Sequence, residues 1–219
     1  MKRIIIICEG RTEFKFCKRV LAPHFSSKHI YIDPPKIKKS GGGIVKWPSL
    51  KKQIENHLRG DKTAFVTTLI DFYGILEKHA YPDWDKAKKE PNKNKKMDIL
   101  ENGMKSGIHS SLTRKFIPYI QLHEFEGLLF NDIDVFDKNF LPSEMDRASL
   151  LKDIEDYPNP ELVNDSPTNV PSKRLERYIE GYNKAELGAA LAEAIGLPRI
   201  RKKSPRFNQW ITKLEKLWN

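Results

Sequence analysis

Apolar residues fall in short unbroken blocks in the first half of the chain and in helical spacing in the second. Ile4-Ile5-Ile6-Ile7 is an uncharged, β-branched run. Such runs mark strands buried on both faces within a parallel sheet. The run ends at Glu9-Gly10, where glycine permits a tight turn. Thr12 is placed to cap a helix carrying Phe14, Cys17 and Leu21 on one face. His29 to Asp33 alternates like a strand, and Pro34-Pro35 stops it. Pro48-Ser49 opens a helix with Leu50, Ile54 and Leu58 on one side, and Gly60 ends it. Ala64 to Ile70 is a second buried run, stopped by Asp71 and followed by Phe72-Tyr73-Gly74. Met97, Leu100, Met104 and Ile108 keep helical spacing. Phe116 to Leu122 reads as a third acid-ended strand, with Pro118 implying an edge position or an irregular start. It leads into His123-Glu124-Phe125-Glu126-Gly127-Leu128-Leu129-Phe130, which suits a short helix.

Beyond residue 140 strand signals cease. Helical patterns cover 144–156, 172–182, 184–196 and 204–218, the last with Phe207, Trp210, Ile211, Leu214 and Leu217 on one face. Strands joined by helices predict an α/β fold with a mainly parallel central sheet flanked by helices and right-handed crossovers. The expected organisation is an α/β domain over 1–140 and a C-terminal helical extension over 141–219 that packs on it. Residues 77–96 are polar and lysine-rich, and read as an insertion or lid, partly disordered when free. The basic loop from Lys36 to Gly43 reads as mobile, with contact to a phosphate backbone as the alternative. Its Gly41-Gly42-Gly43 lacks the Gly-Lys-Ser/Thr ending of a phosphate loop.

At 219 residues the chain can bury one substantial core. No apolar run approaches a membrane span, so no membrane partner is expected. Met-Lys-Arg enters the first strand without a small-residue cleavage site, and a cytoplasmic location is expected. Cys8 and Cys17 are the two cysteines. Their spacing fits neither a zinc site nor a thioredoxin-type motif, and both read as buried thiols. The net charge of +10 favours a polyanionic partner. The excess clusters at Lys86–Lys96, including Lys88, Lys89, Lys95 and Lys96, and at Arg199–Arg206, including Arg201, Lys202 and Lys203. Both clusters are candidates for holding nucleic acid, either DNA or RNA.

Glu9, Asp71 and Glu124 each end a strand-like run. In a parallel sheet those ends share one edge, where open α/β folds hold their ligands. Converging carboxylates repel by about 4 kcal/mol per close pair at intermediate dielectric. Protons or cations must offset this, and hard oxygen donors suit Mg²⁺ or Mn²⁺. Such an ion in a basic protein points to phosphodiester chemistry. Glu13 is either a further ligand or a partner of its own helix N-terminus, and Glu126 has the same two readings. His123 either orients a ligand or is a hydrogen-bonded structural residue. Tyr73 is a packing residue or a supporting group.

The phrase Ile6-Ile7-Cys8-Glu9-Gly10-Arg11-Thr12-Glu13 resembles the opening strand-Glu-Gly motif of TOPRIM domains, especially in OLD-type nucleases. Leu69-Ile70-Asp71 resembles the second acidic strand end, and His123 to Phe130 the later glutamate segment. Over nearly its whole length the chain is similar to a bacterial TOPRIM-like family of unassigned function. The shared features include Pro171-Ser172-Lys173-Arg174-Leu175 and Ser204-Pro205-Arg206-Phe207-Asn208-Gln209-Trp210. The resemblance implies a TOPRIM-like fold and a metal-dependent nuclease, often encoded beside an ATPase and associated with defence against phage or mobile DNA. It would make Glu9 a metal ligand or general base, and Asp71, Glu124 and Glu126 metal ligands. One departure stands out: Tyr73 occupies the place of the second acid of the usual Asp-x-Asp pair.

The expected activity is Mg²⁺- or Mn²⁺-dependent phosphodiester cleavage, with Glu9, Asp71 and Glu124 as the catalytic acids. The alternative is a non-catalytic module that binds nucleic acid or an ATPase partner. Phosphoryl chemistry on a small nucleotide ranks third.

Overall fold

The computed structural model describes residues 2–38, 43–164 and 169–218. The described residues form two compact units, 1–122 with 217–219, and 123–216. Residues 123–140, read from sequence with the α/β part, group with the helical unit.

The first unit holds the sheet. Its strands are β1 (Lys2–Cys8), β2 (Ile30–Asp33), β3 (Phe65–Asp71), β4 (Phe116–Ile117) and β5 (Ile120–Gln121), in the order β2-β1-β3-β4 with β5 also on β3. Every named pairing is parallel. The isoleucine run lies in the central strand with Ile4 and Ile6 fully buried, as an uncharged run between two neighbours requires. Register pairs Ile4 with Phe65 and Cys8 with Leu69, so β1 and β3 end together at their carboxyl tips.

Phe116 to Leu122 is not one strand. Pro118 offers no N–H to the ladder, and the pairing breaks between β4 and β5. Thr68 bridges the gap: its hydroxyl donates to the Tyr119 carbonyl at 2.8 Å and accepts the Tyr119 N–H at 3.0 Å.

Helices α1 (Arg11–Phe16), α2 (Ala22–Ser26), α3 (Trp47–Gly60), α4 (Trp84–Lys89) and α5 (Lys93–Gly107) complete the unit, with a wider π-type turn over Cys17–Leu21 between the first two. One face of the sheet packs Ile5, Ile7, Val66 and Ile70 against Leu50, Ile54 and Leu58 of α3 and Met97, Leu100 and Met104 of α5. Burial contributes roughly 1.5–3 kcal/mol per large aliphatic side chain. The lysine-rich stretch holds a 3-10 turn (Glu77–His79), α4 and the start of α5. Tyr81 and Ala87 are buried in this same core, and Trp84 packs on it with its ring 6.4 Å from that of Phe72. These apolar anchors, spaced among the lysines, supply the buried area that an all-polar insertion would lack.

The second unit contains a 3-10 turn at Phe125–Leu129 and helices α6 (Ile133–Asn139), α7 (Arg147–Asp156), α8 (Pro171–Tyr178), α9 (Ala189–Ile195), α10 (Leu197–Lys203) and α11 (Pro205–Glu215). Phe136, Leu175, Ala192, Phe207, Ile211 and Leu214 are fully buried. No helix of the described residues is long and apolar enough to cross a membrane.

Candidate functional site

At the carboxyl edge of the sheet, Glu9 extends β1 by one residue through its N–H to Leu69 O, 3.1 Å. Its side chain then turns across to β3, where Oε2 accepts the N–H of Asp71 at 2.9 Å. The adjacent carboxyl tips of two buried parallel strands therefore carry the two acids, and Asp71 is itself buried. Neighbouring strands lie roughly 4.8 Å apart, so these acids share one small region of the edge. A Cβ at Gly74 would stand 3.5 Å from Glu9 Oε1, so the turn after β3 comes close to the same carboxylate. The Tyr81 hydroxyl is pushed well above its ordinary pKa, first by burial and then by the negative charge of Glu9. Sequence spacing gave no signal for Tyr81, which arrives from the segment before α4. Tyr73 is exposed beside the tip of β3.

The helix after Glu9 begins two residues earlier than expected. Gly10 is its N-cap, and Thr12 lies inside the first turn rather than capping it. Glu13 Oε2 accepts the Gly10 N–H at 2.8 Å. Of its two sequence readings, the structure gives Glu13 the partnership with its own helix start. That arrangement satisfies one of the orphan amides of the turn.

In the helical unit, Glu124 caps the Phe125–Leu129 turn in extended backbone. Its Oε2 accepts the Ser172 N–H at the start of α8, 2.9 Å. Glu126 is fully buried, and Lys184 Nζ lies 2.7 Å from its Oε2 and 4.0 Å from Glu124 Oε1. One ammonium thus pairs closely with Glu126 and stands at the edge of ion-pair range from Glu124, offsetting one of the two negative charges. Burial, followed by the charge of Glu126, pushes the nearby Tyr182 hydroxyl well up. Lys184 was missed in the sequence reading, yet it is the only lysine or arginine between Arg177 and Arg199. His123 adopts left-handed backbone, φ 64°, and its Nδ1 lies 3.0 Å from the Asn164 amide nitrogen. A buried non-glycine residue in that region stores strain, which accumulates at functional positions.

The two tail motifs have structural roles of the same kind. Pro171-Ser172 starts α8, whose N-terminus holds Glu124. Ser204-Pro205 starts α11, whose Arg206 and Phe207 N–H groups donate to Glu161 at 2.9 and 3.0 Å. Burial raises the Glu161 pKa, and those two amides work against the rise. Helix N-termini favour such negative charge.

The candidate nucleic-acid cations divide into two groups. Lys88, Lys89 and Lys95 are exposed on α4 and α5, with Lys88 in a loose 3.5 Å pair with Glu77. Lys96 lies over the Phe72 ring at 6.0 Å. The Arg201 fork is engaged within the unit by Glu215 (2.8 and 3.1 Å), Asn208 (2.7 Å) and Thr212 (3.1 Å), joining α10 to α11. Lys203 donates to the Asn131 carbonyl. Of that trio Lys202 is the exposed member.

Among the described residues no group of three or more His, Cys, Asp or Glu side chains is arranged to hold a metal ion. The Glu9–Asp71 pair nevertheless has the right donor chemistry. Mg²⁺ commonly takes one or two carboxylates and fills its remaining positions with water and substrate phosphate. Glu126 fits a metal less well, because Lys184 already supplies a counter-charge at 2.7 Å.

A family model described as "Domain of unknown function (DUF4276)" matches residues 8–215. The chain belongs to that family. No curated protein and no solved structure matches the chain.

Proposed function

We propose that this member of the DUF4276 family is a Mg²⁺- or Mn²⁺-dependent phosphodiesterase that cleaves nucleic acid in the cytoplasm. One observation carries the reading: the Glu9 carboxylate bonded to the Asp71 amide at the carboxyl edge of a parallel sheet, the edge that open α/β folds use for ligands. Glu9 and Asp71 would hold the ion, which when bound supplies charge stabilisation and an activated water. The chain's own contribution is positional. The Asp71 N–H fixes the rotamer of Glu9, and the adjoining strand tips fix the spacing of the two acids. Lys88, Lys89, Lys95, Lys96 and Lys202 would hold the phosphate backbone, with strong salt dependence and little sequence preference. The resemblance of the Glu9, Asp71 and Glu124 segments to TOPRIM and OLD-type nucleases supports a role in defence against phage or mobile DNA, with an ATPase as partner.

The second reading is a non-catalytic module that binds nucleic acid or an ATPase. Two observations favour it. Tyr73 stands where a second acid would complete the usual pair, and Lys184 supplies internally a charge that Glu126 would otherwise take from a metal.

Mn²⁺ calorimetry and a cleavage screen on DNA and RNA separate the readings. In folded Glu9→Gln and Asp71→Asn, the first predicts Mn²⁺ affinity at least tenfold weaker and cleavage abolished. Undiminished cleavage by folded Glu9→Gln rejects the assignment. Nucleic-acid binding that needs no metal and gives no turnover favours the second reading.

A further inference from the structure

The sheet has an opposite edge, and a basic cavity of about 530 Å³ lies there. Its apolar lining is Phe65, which opens β3, Leu58 from the end of α3 and Leu112 from the 3-10 turn Ser110–Lys115. Its walls carry Arg59, Lys62, Arg114 and Lys115, and Ser111 adds a hydroxyl. The cations are fastened to differing degrees. Arg59 pairs with Glu55 at 3.1 Å on the same helix. Lys115 donates to the Lys62 carbonyl and lies 5.9 Å above the Phe65 ring. Arg59, Lys62 and Arg114 are exposed, so their charges face water at the mouth.

Four positive groups around one small cavity exceed what a single carboxylate ligand neutralises. Arginine forks match phosphate oxygens in bidentate geometry. An apolar lining of one aromatic ring and two leucines suits a flat apolar body, and bases stack on such rings. The volume lies within the range of small-ligand pockets. We infer that this cavity binds a nucleoside phosphate, with the phosphates at Arg59, Lys62 and Arg114 and the base on Phe65 and Leu112. The site is distinct from the Glu9–Asp71 edge. Phe65 and Asp71 are the two ends of β3, roughly 20 Å apart at the rise of a strand. The inference does not depend on the phosphodiesterase reading.

The test is calorimetry of the full chain with ADP, pyrophosphate, adenosine and a twelve-nucleotide single strand. The variants are Lys62→Glu and the double variant Arg59→Glu/Arg114→Glu. All three positions are exposed, so the fold should survive, and circular dichroism checks it. The expected result is saturable ADP binding, tighter than pyrophosphate or adenosine, at least tenfold weaker in both variants and unchanged in Glu9→Gln. Absence of ADP binding overturns the proposal, as does binding that the variants leave untouched. Pyrophosphate binding as tight as ADP removes the role of the apolar lining and overturns the nucleoside assignment. A single strand that binds through the same residues tenfold more tightly than ADP makes the cavity part of a polymer track instead.

Discussion

Glu9 Oε2 accepts the backbone N–H of Asp71 at 2.9 Å, so the side chain of one strand tip is tied to the main chain of the next. That bond predicts different outcomes for two substitutions. Glu9→Gln keeps an acceptor oxygen and should change stability by less than about 1 kcal/mol, whereas Glu9→Ala leaves a poorly solvated amide without its acceptor and should cost about 1–3 kcal/mol. Urea unfolding of both variants reads the difference. Equal destabilisation by Gln and Ala would mean that charge, not the hydrogen bond, holds the strand tips together.

Gly103 on α5 faces the turn before α4. A Cβ there would stand 2.8 Å from Asp83 Oδ2 and 2.9 Å from the Pro82 carbonyl oxygen, closer than real Cβ contacts come. The carbonyl belongs to the backbone and cannot rotate away. Gly103→Ala should therefore destabilise by about 1–3 kcal/mol through overpacking, despite the better helix propensity of alanine. Gly60 has open space at the same test, and Gly60→Ala is the control, expected to stay within about 1 kcal/mol of wild type. A stable Gly103→Ala protein would show that the 82–83 turn yields.

Arg174 and Asp153 form a buried ion pair at 2.6 Å, and the Tyr178 hydroxyl donates to the second Asp153 oxygen at 2.9 Å. Removing one partner leaves an uncompensated buried charge. Arg174→Leu should cost about 3–5 kcal/mol, and the double variant Arg174→Leu/Asp153→Leu should recover much of that loss. A double-mutant cycle by chemical denaturation measures it. Additive losses would show that the two charges act independently.

Asp61 is held down to a pKa of about 2, first by the Thr63 hydroxyl, then by the Thr63 N–H, with the Ala64 N–H and Arg3 adding to it and burial opposing. A folded pKa below the unfolded value means that the unfolded chain takes up the proton first. The stability supplied by this carboxylate is therefore complete above the unfolded value of roughly 3.9. It is lost as the pH falls from there through about 2. Asp61→Asn should flatten the acid limb of the stability curve between about pH 4 and pH 2 and leave its slope near neutrality unchanged. Unfolding free energy across pH 2–7 tests this. Identical acid limbs would remove Asp61 as a source of acid sensitivity.

The strand blocks and the acids that end them were legible along the chain. A strand buried on both faces excludes charge, so the uncharged, β-branched runs Ile4–Ile7 and Val66–Ile70 announce themselves and their polar stops mark the strand tips. Local periodicity likewise exposed α3 and α5. What only the tertiary structure decided is which group answers each charge. Glu13 turns back to Gly10, Glu124 goes to the Ser172 amide, Glu126 to Lys184, Glu161 to the start of α11, and Arg201 to Glu215. Most of these partners lie 14 to 58 residues apart, the limits being Arg201–Glu215 and Glu126–Lys184. Hydrophobic periodicity reports whether a residue faces the core within its own element. The counter-charge of a buried carboxylate is set by which other elements the chain brings past it, and no local pattern encodes that.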